Sequence, residues 1–216
     1  MTASSSLRPT LKAQLLERIG HLNLAEALLP ASHPDIDQLI HDLEAITPIA
    51  QPLQADHWPT LLGTWDLIYA SQGTVVTRRL PLWPVGLRRV WQRLAPSAQP
   101  SVPIVTENGA VVSLPVIGEL TAIAQGVWQP YEEAESASVS FGSFSLQPTR
   151  LLGVTGLHLP KLTLPIFDAL RREALWITSY LDDDLRIGRG ATGNLFVFQR
   201  TSIGQGGWAS KPSPAP

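Results

Sequence analysis

The chain has 216 residues and a formal net charge of −2, so it lacks the basic excess of a dedicated nucleic-acid-binding protein. Its hydrophobic fraction of 44% excludes a disordered chain, and its lack of Cys excludes disulfides, thiolate metal sites and a cysteine nucleophile. The 16 Gly and 19 Pro argue against a helix bundle, because both residues interrupt helices, and a turn-rich, mainly β protein remains.

Two helices are predicted at the start of the chain. Apolar residues recur at helical spacing in residues 9–24, which indicates an amphipathic helix. A second helix is predicted from Ser32, where a capping-box-like Ser-x-x-Asp places Pro34 in the first turn, and Pro48 is expected to stop it. Each helix has an apolar stripe, so we expect a helical hairpin packed on the main domain.

After the helices the apolar period changes to two, which predicts strands. Trp65 and Tyr69 are expected on the same face of the first strand. The pair Asn108-Gly109 between two apolar runs predicts a tight hairpin, and a phase shift at Gly142 predicts a β-bulge. Too few helices separate the strands for parallel crossovers, so we expect an antiparallel meander of about eight to ten strands that curls into a barrel or splits into a sandwich.

An Arg-rich segment follows the first predicted strand. No acidic residue lies between Asp66 and Glu107, and within this segment Leu87 and Trp91 fall on one helical face while most Arg fall elsewhere. This pattern predicts a short lid helix over the barrel mouth, and a lid of this composition is also typical of contact with a membrane surface. The predicted lid or membrane contacts are Leu82, Trp83, Leu87, Arg88, Arg89, Trp91 and Arg93.

The first strand begins with Gly63-Thr64-Trp65, which resembles the strand entry of calycin barrels. The resemblance implies that Gly permits a tight entry and that Trp plugs the barrel end. A cation often stacks on the face of such a Trp. Arg200 and Arg189 are the candidates, and the position of Arg200 at the end of the last strand favours it.

Residues 178–198 predict three strands joined by short turns. Asp182 to Asp184 form the first turn, since Asp favours turn geometry and stays solvated there. Arg186 and Arg189 are expected to pair with these carboxylates. The three adjacent Asp lack the alternation and the closing Glu of a calcium loop, so no metal site is predicted.

Together, LLGTWDLIYAS (61–71) and TSYLDDDLRIGRGATGNLFVF (178–198) resemble the plastid lipid-associated protein family, also called the fibrillins of plastoglobules. Ala70 stands where the family has Thr, and Ser179 intrudes before Tyr180. The resemblance covers residues 35–201 and implies a lipocalin-like barrel with a lipid-related, non-enzymatic role, in a chain that looks cyanobacterial rather than plant. The positions that match the family signature are Gly63, Trp65, Asp182, Arg186, Arg189 and Gly190.

The predicted fold is therefore mainly β, a lipocalin-like antiparallel β-barrel preceded by an N-terminal helical hairpin and carrying a short lid helix. We expect the helical extension at residues 1–58, the barrel at 59–203 and a disordered tail at 204–216. No cofactor is predicted, and neither a nucleophile–base constellation nor a phosphate or dinucleotide fingerprint occurs. An enzyme that acts on a lipid is thus the least favoured interpretation.

The favoured function is a non-enzymatic carrier of a lipid or prenylquinone, attached peripherally to a thylakoid membrane or a lipid globule. With no spanning helix and no signal peptide recognised, we expect it on the cytoplasmic side. The alternative is a scaffold with a packed barrel that docks onto a partner enzyme of isoprenoid-quinone metabolism. The ligand is expected to contact apolar side chains without specific polar groups. The predicted lining residues are Trp65, Tyr69, Ile123, Trp128, Phe141, Trp176 and Tyr180.

Overall fold

The computed structural model describes residues 3–72, 86–99, 102–115, 118–151, 154–155, 161–164 and 173–201. The helices are α1 (Ala3–Gly20), α2 (Leu24–Leu28), α3 (Pro34–Glu44) and α4 (Trp58–Leu61), with a 3-10 turn at Ala55–His57. The strands are β1 (Gly63–Ala70), β2 (Gly86–Pro96), β3 (Ile104–Leu114), β4 (Gly118–Pro130), β5 (Ser136–Leu151), β6 (Val154–Thr155), β7 (Leu162–Leu164), β8 (Ala174–Leu181), β9 (Leu185–Gly190) and β10 (Leu195–Arg200). The mainly β class is confirmed.

Eight of the strands pair as an antiparallel ring. The order around the ring is β1, β2, β3, β4, β5, β8, β9 and β10, and β10 pairs with β1 to complete it. The short strands β6 and β7 pair with the second half of β5. Closure leaves few unpaired backbone groups, which is how all-antiparallel sheets avoid exposed edges. The predicted barrel-like arrangement is therefore confirmed.

Side chains alternate between the two faces of the ring and form two separate cores. Trp65 and Phe198 belong to the core inside the ring, whereas Ile187 and Val197 belong to the core outside it. We call the space enclosed by the inward side chains the lumen. The end of the ring at which β1 begins is the Trp65 end, and the opposite end is the far end.

The N-terminal helices cover part of the outer face of the ring. Ile36, Ile40 and Leu43 form the buried stripe of α3, and Leu15 and Ile19 form that of α1. Both stripes belong to the outer core with side chains from β1, β8, β9 and β10. The predicted helical hairpin on the main domain is thus confirmed. Among the described residues, no helix has the length and hydropathy needed to cross a membrane.

The predicted lid helix is wrong, because its described residues form the strand β2. The register between β2 and β3 shifts between Leu87 and Arg89, so Arg88 is the extra residue of a bulge. A bulge adds one residue to the alternation of faces. Leu87 and Val90 therefore both pack against the inner core, three residues apart, and this spacing imitates a helix.

The predicted hairpin at Asn108-Gly109 is also wrong, since both residues lie within β3. Gly109 is directly opposite Trp91 of β2. A Cβ atom at Gly109 would lie 2.0 Å from Cζ2 of Trp91, so the glycine leaves room for the indole ring. Glycine within a strand often marks such a close approach rather than a turn.

The bulge predicted at Gly142 is confirmed. The pairing of β4 with β5 passes from Ser143 to Phe141, which leaves Gly142 without a partner in the register. A Cβ atom at Gly142 would meet no atom within 4 Å. The residues predicted as a disordered tail, 204–216, lie outside the described residues.

Gly188 should tolerate no side chain, because a Cβ atom there would lie 2.1 Å from Cζ2 of Trp176. The indole of Trp176 has little freedom to move, since its centre is 5.3 Å from the ring of Phe196 and 5.8 Å from that of Trp128. We expect Gly188→Ala to lower the free energy of unfolding by about 1–3 kcal/mol in urea denaturation. Gly142→Ala is the matched control and should change it by less than about 0.5 kcal/mol. Equal effects of the two variants would contradict this packing.

Candidate functional site

The Trp65 end of the ring is sealed by a stack on the indole of Trp65. This side chain is fully buried, and its Nε1 donates to the carbonyl of Leu61 at 2.9 Å. Arg200 Cζ lies 4.1 Å from the ring centre, and its Nη1 donates to the carbonyl of Leu62 at 3.0 Å. Gly63 has φ of 129°, and a Cβ atom there would lie 2.8 Å from Arg200 Nη1. The predicted stacking of Arg200 on Trp65 is confirmed.

A second guanidinium group, that of Arg186, lies inside the lumen. Its Cζ is 5.1 Å from the ring centre of Trp65, 4.4 Å from that of Phe198 and 5.8 Å from that of Trp128. Arg186 has 0% exposure. The predicted ion pair of Arg186 with the acidic turn is wrong, because β9 directs Leu185 and Ile187 to the outer core and so directs Arg186 inward.

Arg186 belongs to a chain of polar groups across the lumen. Its Nη2 donates to Oε1 of Gln92, whose Nε2 donates to Oδ1 of Asn108 at 2.9 Å. Thr106 Oγ1 donates to the same oxygen at 3.3 Å. We call these four residues the polar layer. The expectation of a lumen without specific polar groups is therefore wrong.

Three buried donors in this region have no hydrogen-bond partner among the described residues. They are Nε and Nη1 of Arg186 and Nε1 of Trp128. The ion pairs found among the described residues leave Arg186 out. Burial, with a smaller contribution from the nearby charge of Arg200, lowers the pKa of Arg186 to about 9. An unsatisfied buried donor costs about 1–3 kcal/mol, and more when the group is charged.

Towards the far end, the lumen is apolar and less completely filled. Val90, Phe141, Trp176 and Phe196 pack against the inner core yet remain partly exposed. Ala124 pairs with two inward residues, Asn108 of β3 and Phe144 of β5, so it also faces inward. Its small side chain fills little of the lumen. By contrast, the inward side chains at the Trp65 end are almost wholly buried, and include Trp65, Leu94, Ile104, Trp128 and Arg186. The polar layer is thus the floor of the lumen, and the apolar, partly exposed side chains towards the far end are its walls.

Of the predicted lining residues, Trp65, Phe141, Trp128 and Trp176 face the lumen. Whether they contact a ligand stays a prediction. Ile123 does not face it, because its register partner is Gly109, which lies on the outer face beneath Trp91.

Tyr69 and Tyr180 also face outward, which corrects the prediction that they line the interior. Both belong to the outer core, and each hydroxyl donates to a carboxylate. The register shifts between Leu67 and Tyr69 and again between Thr178 and Tyr180. Each bulge inserts one residue into the alternation. Trp65 and Trp176 therefore face inward, whereas Tyr69 and Tyr180 on the same two strands face outward.

Asp182 fastens α1 to the turn between β8 and β9. Its carboxylate accepts from Lys12 Nζ at 2.9 Å, from the Tyr180 hydroxyl at 2.7 Å and from the backbone N–H of Leu185 at 2.7 Å. Burial acts to raise the pKa of Asp182, but these hydrogen bonds outweigh it and hold the pKa below its usual value. Lys12 also contacts Asp184. Asp182 to Asp184 connect β8 to β9, so the predicted turn is confirmed.

Arg189 likewise joins the ring to a helix, instead of pairing with the acidic turn as predicted. Its Nε donates to Oε1 of Glu44, at the end of α3, at 2.9 Å. Its Nη2 lies 2.9 Å from Nδ1 of His41. The neighbouring signature residue, Gly190, is paired with Trp176 of β8. Arg189 therefore attaches α3 to the ring, and Gly190 takes part in the pairing of β9 with β8.

The predicted lid or membrane contacts are divided between two faces of β2. Leu87 packs against the inner core, while Arg88 and Arg93 are exposed. Arg89 Nε forms an ion pair with Asp66 at 2.6 Å, and its Cζ lies 5.3 Å from the ring centre of Trp91. The other two predicted contacts, Leu82 and Trp83, lie outside the described residues.

The alternation of faces along β9 is the one sequence signal that could have predicted the polar layer. Leu185 and Ile187 share one face of β9, so Arg186 must take the other face, and the helices already cover the first. Gln92 has no such local signal, because its contact with Arg186 joins residues 94 positions apart. Within the described part of the chain, no group of three or more His, Asp or Glu could hold a metal ion.

Comparison with known proteins places these features in a family context. The PAP_fibrillin family model matches residues 9–199. "Probable plastid-lipid-associated protein 5, chloroplastic" of Arabidopsis thaliana is 26% identical over 196 residues, which cover 89% of this chain and 70% of that protein. "Probable plastid-lipid-associated protein 3, chloroplastic" of Oryza sativa subsp. japonica is 28% identical over 199 residues, which cover 76% of this chain and about half (51%) of that protein. No solved structure matches.

The contacts of Asp182 predict a specific loss of stability in acid. Its pKa is lowered in the folded state, so its contribution is fully present above the unfolded pKa of about 4 and is lost as pH falls through the folded pKa. We expect Asp182→Asn to lower the free energy of unfolding by about 1–3 kcal/mol at pH 7. This difference from the unaltered chain should shrink below pH of about 4. The exposed neighbour variant Asp183→Asn is the control, and a pH-independent Asp182→Asn effect would contradict the assignment.

Proposed function

Because this chain belongs to the PAP_fibrillin family, we propose that it is a non-enzymatic protein that binds an apolar lipid or a prenylquinone in its lumen. The observation that carries the proposal is the set of inward apolar side chains at the far end that remain partly exposed, such as Val90, Trp176 and Phe196. The names of both relatives describe them as plastid-lipid-associated, which supports the lipid class of the ligand.

The driving force for such binding would be the burial of apolar surface against the lumen walls. A lipid that replaced water against these side chains would gain about 25 cal/mol for each Å² of apolar surface buried. Aromatic walls with few polar groups are typical of small-molecule pockets. The half-buried aromatic rings of Phe141, Trp176 and Phe196 are the side chains with most area to contribute.

The polar layer supports binding rather than catalysis. Gln92, Asn108 and Thr106 do not titrate near neutral pH, and no described residue offers Arg186 a carboxylate or imidazole base. General acid–base or nucleophilic chemistry needs a base beside the acid or nucleophile. The layer can therefore orient a ligand by hydrogen bonds without transforming it.

The outer face of β2 is the surface that we propose for peripheral contact with a photosynthetic membrane or a lipid globule, on the cytoplasmic side. Arg88 and Arg93 are exposed there, and Trp91 lies between them on the strand. Arginine favours anionic lipid, and Trp prefers the head-group region. Arg89 is less suited to this role, since its charge is already paired with Asp66.

A scaffold role is the second candidate, and the filled Trp65 end of the lumen favours it. Trp65, Trp128 and Arg186 leave that end fully buried. In this case the protein would dock onto a partner, such as an enzyme of isoprenoid-quinone metabolism, without carrying a ligand. The lumen experiment below separates the two roles.

A bulky side chain at Ala124 should prevent ligand binding. Ala124 has the inward phase between Asn108 and Phe144, so Trp at this position would occupy the lumen beside the polar layer. We expect the purified chain to yield an apolar lipid on solvent extraction and mass spectrometry, and Ala124→Trp to yield at least tenfold less. Gln125→Trp is the matched control, because Gln125 is exposed on the outer face of the same strand. No lipid from the unaltered chain, or equal lipid from both variants, would favour the scaffold.

Reversing two exposed charges should weaken membrane contact. At about 1 kcal/mol for each basic residue near an anionic surface, Arg88→Glu with Arg93→Glu should lower binding to vesicles containing phosphatidylglycerol by roughly 30-fold. Co-sedimentation measures this, and neutral phosphatidylcholine vesicles should show little difference. The variant Arg18→Glu with Arg150→Glu makes the same change in net charge at two exposed sites elsewhere. Equal loss in both double variants would remove β2 as the contact surface.

A further inference from the structure

We propose that the floor of the lumen is an anion-recognition site, and that the ligand held there is an apolar chain ending in a carboxylate that pairs with Arg186. This inference rests on the proposed function, because it specifies the head group of the ligand bound in the lumen. Three parts of the lumen support it: a buried cation without an anionic partner among the described residues, a polar layer that fixes it in place, and walls that lead away from it.

The first part is the unpaired charge of Arg186. A guanidinium group has five N–H donors, and within the described structure only Nη2 of Arg186 has an acceptor, the amide oxygen of Gln92. The aromatic rings of Trp65 and Phe198 offset part of the charge through their faces, yet they accept no conventional hydrogen bond. A bound carboxylate would accept hydrogen bonds from two of the remaining N–H groups and neutralise the charge.

The second part is the way in which the polar layer holds this cation. The amide nitrogen of Gln92 donates to Asn108, so the oxygen of Gln92 is directed at Arg186. Thr106 donates to the same oxygen of Asn108 and fixes that side chain in turn. Arg186 is therefore held in one geometry before any ligand binds. Such preorganisation reduces the entropy lost on binding.

The third part is the direction of the walls. Above the polar layer the inward residues are apolar except for Thr178, whose Oγ1 accepts from Trp176 Nε1, and the inward row of β3 continues from Asn108 to Leu114. Six residue steps at about 3.3 Å each make this wall roughly 20 Å long measured along the strand. A molecule that meets both the floor and the walls has one polar end and a long apolar body. Since Arg186 supplies one positive charge, a single carboxylate matches it better than a doubly charged phosphate.

The stability of an apolar replacement gives a first check. Replacing buried charges by apolar groups of similar volume is often neutral or stabilising. We therefore expect Arg186→Met to fold with a melting temperature no lower than that of the unaltered chain. A side chain that lowers stability at a buried position is expected to be retained for its role in the site.

The decisive experiment compares an acid with its ester. Titration calorimetry of the delipidated full chain at pH 7.5 should show oleate binding roughly tenfold to 100-fold more tightly than methyl oleate, because the ester keeps the chain and lacks the charge. In Arg186→Met the two ligands should bind alike, with the affinity for methyl oleate kept. Arg18→Met, which removes an exposed charge on α1, should keep the preference for oleate. In the ¹⁵N spectrum, the Nε–H resonance of Arg186 should shift with oleate and not with the ester.

The other outcomes separate this inference from the function on which it rests. Equal binding of oleate and methyl oleate by the unaltered chain would overturn the anion site and leave lipid binding intact. Binding of a neutral prenylquinone without binding of oleate would do the same. No binding of oleate, ester or prenylquinone would overturn the proposed function as well. If Arg186→Met failed to fold, the comparison of ligands and the Nε–H shift in the unaltered chain would still decide the matter.

Discussion

Trp65 lies between two guanidinium groups, one inside the lumen and one at the Trp65 end of the ring. Arg200 lies 4.1 Å from the indole centre on one side and also binds backbone carbonyls of the segment entering β1. Arg186 lies 5.1 Å from the same ring within the lumen. The indole thereby excludes water from a cation that would otherwise be solvated. The amides of Gln92 and Asn108 lie beside that cation in the floor, and the aromatic walls lie above it.

The acidic turn and the arginines of the C-terminal block divide into two kinds of contact. Asp182 and Arg189 point outward and attach α1 and α3 to the ring, through Lys12 and Glu44. Arg186, between them in the chain, points inward. Alternation along a strand makes this division possible, because neighbouring residues serve opposite faces. A short segment of the chain can thus combine attachment of the helices with construction of the lumen.

Most element types could be predicted from the sequence, whereas the direction of several side chains could not. A period of two predicted the strands, and Gly142 marked its bulge correctly. The errors at Tyr69, Tyr180 and the supposed lid helix share one cause, an extra residue at a bulge in β1, β8 or β2. A bulge is defined by the register of two strands, so the pattern within one strand does not reveal it unless the phase visibly shifts, as it does at Gly142. The contact of Arg186 with Gln92 joins β9 to β2 and is invisible locally for the same reason.

Ring closure through β1 and β10 also constrains how the chain reaches this structure. Trp65 pairs with Arg200, so the first and last strands of the ring meet across 135 positions of sequence. Long-range pairing of this kind requires closing a large loop before its contacts contribute, which slows folding. During synthesis the lumen has no floor until β9 and β10 emerge, because they bring both arginines of the stack. The proposed binding site is therefore completed in one late step, and a chain that ends before β10 would leave a hydrophobic strand edge open to aggregation.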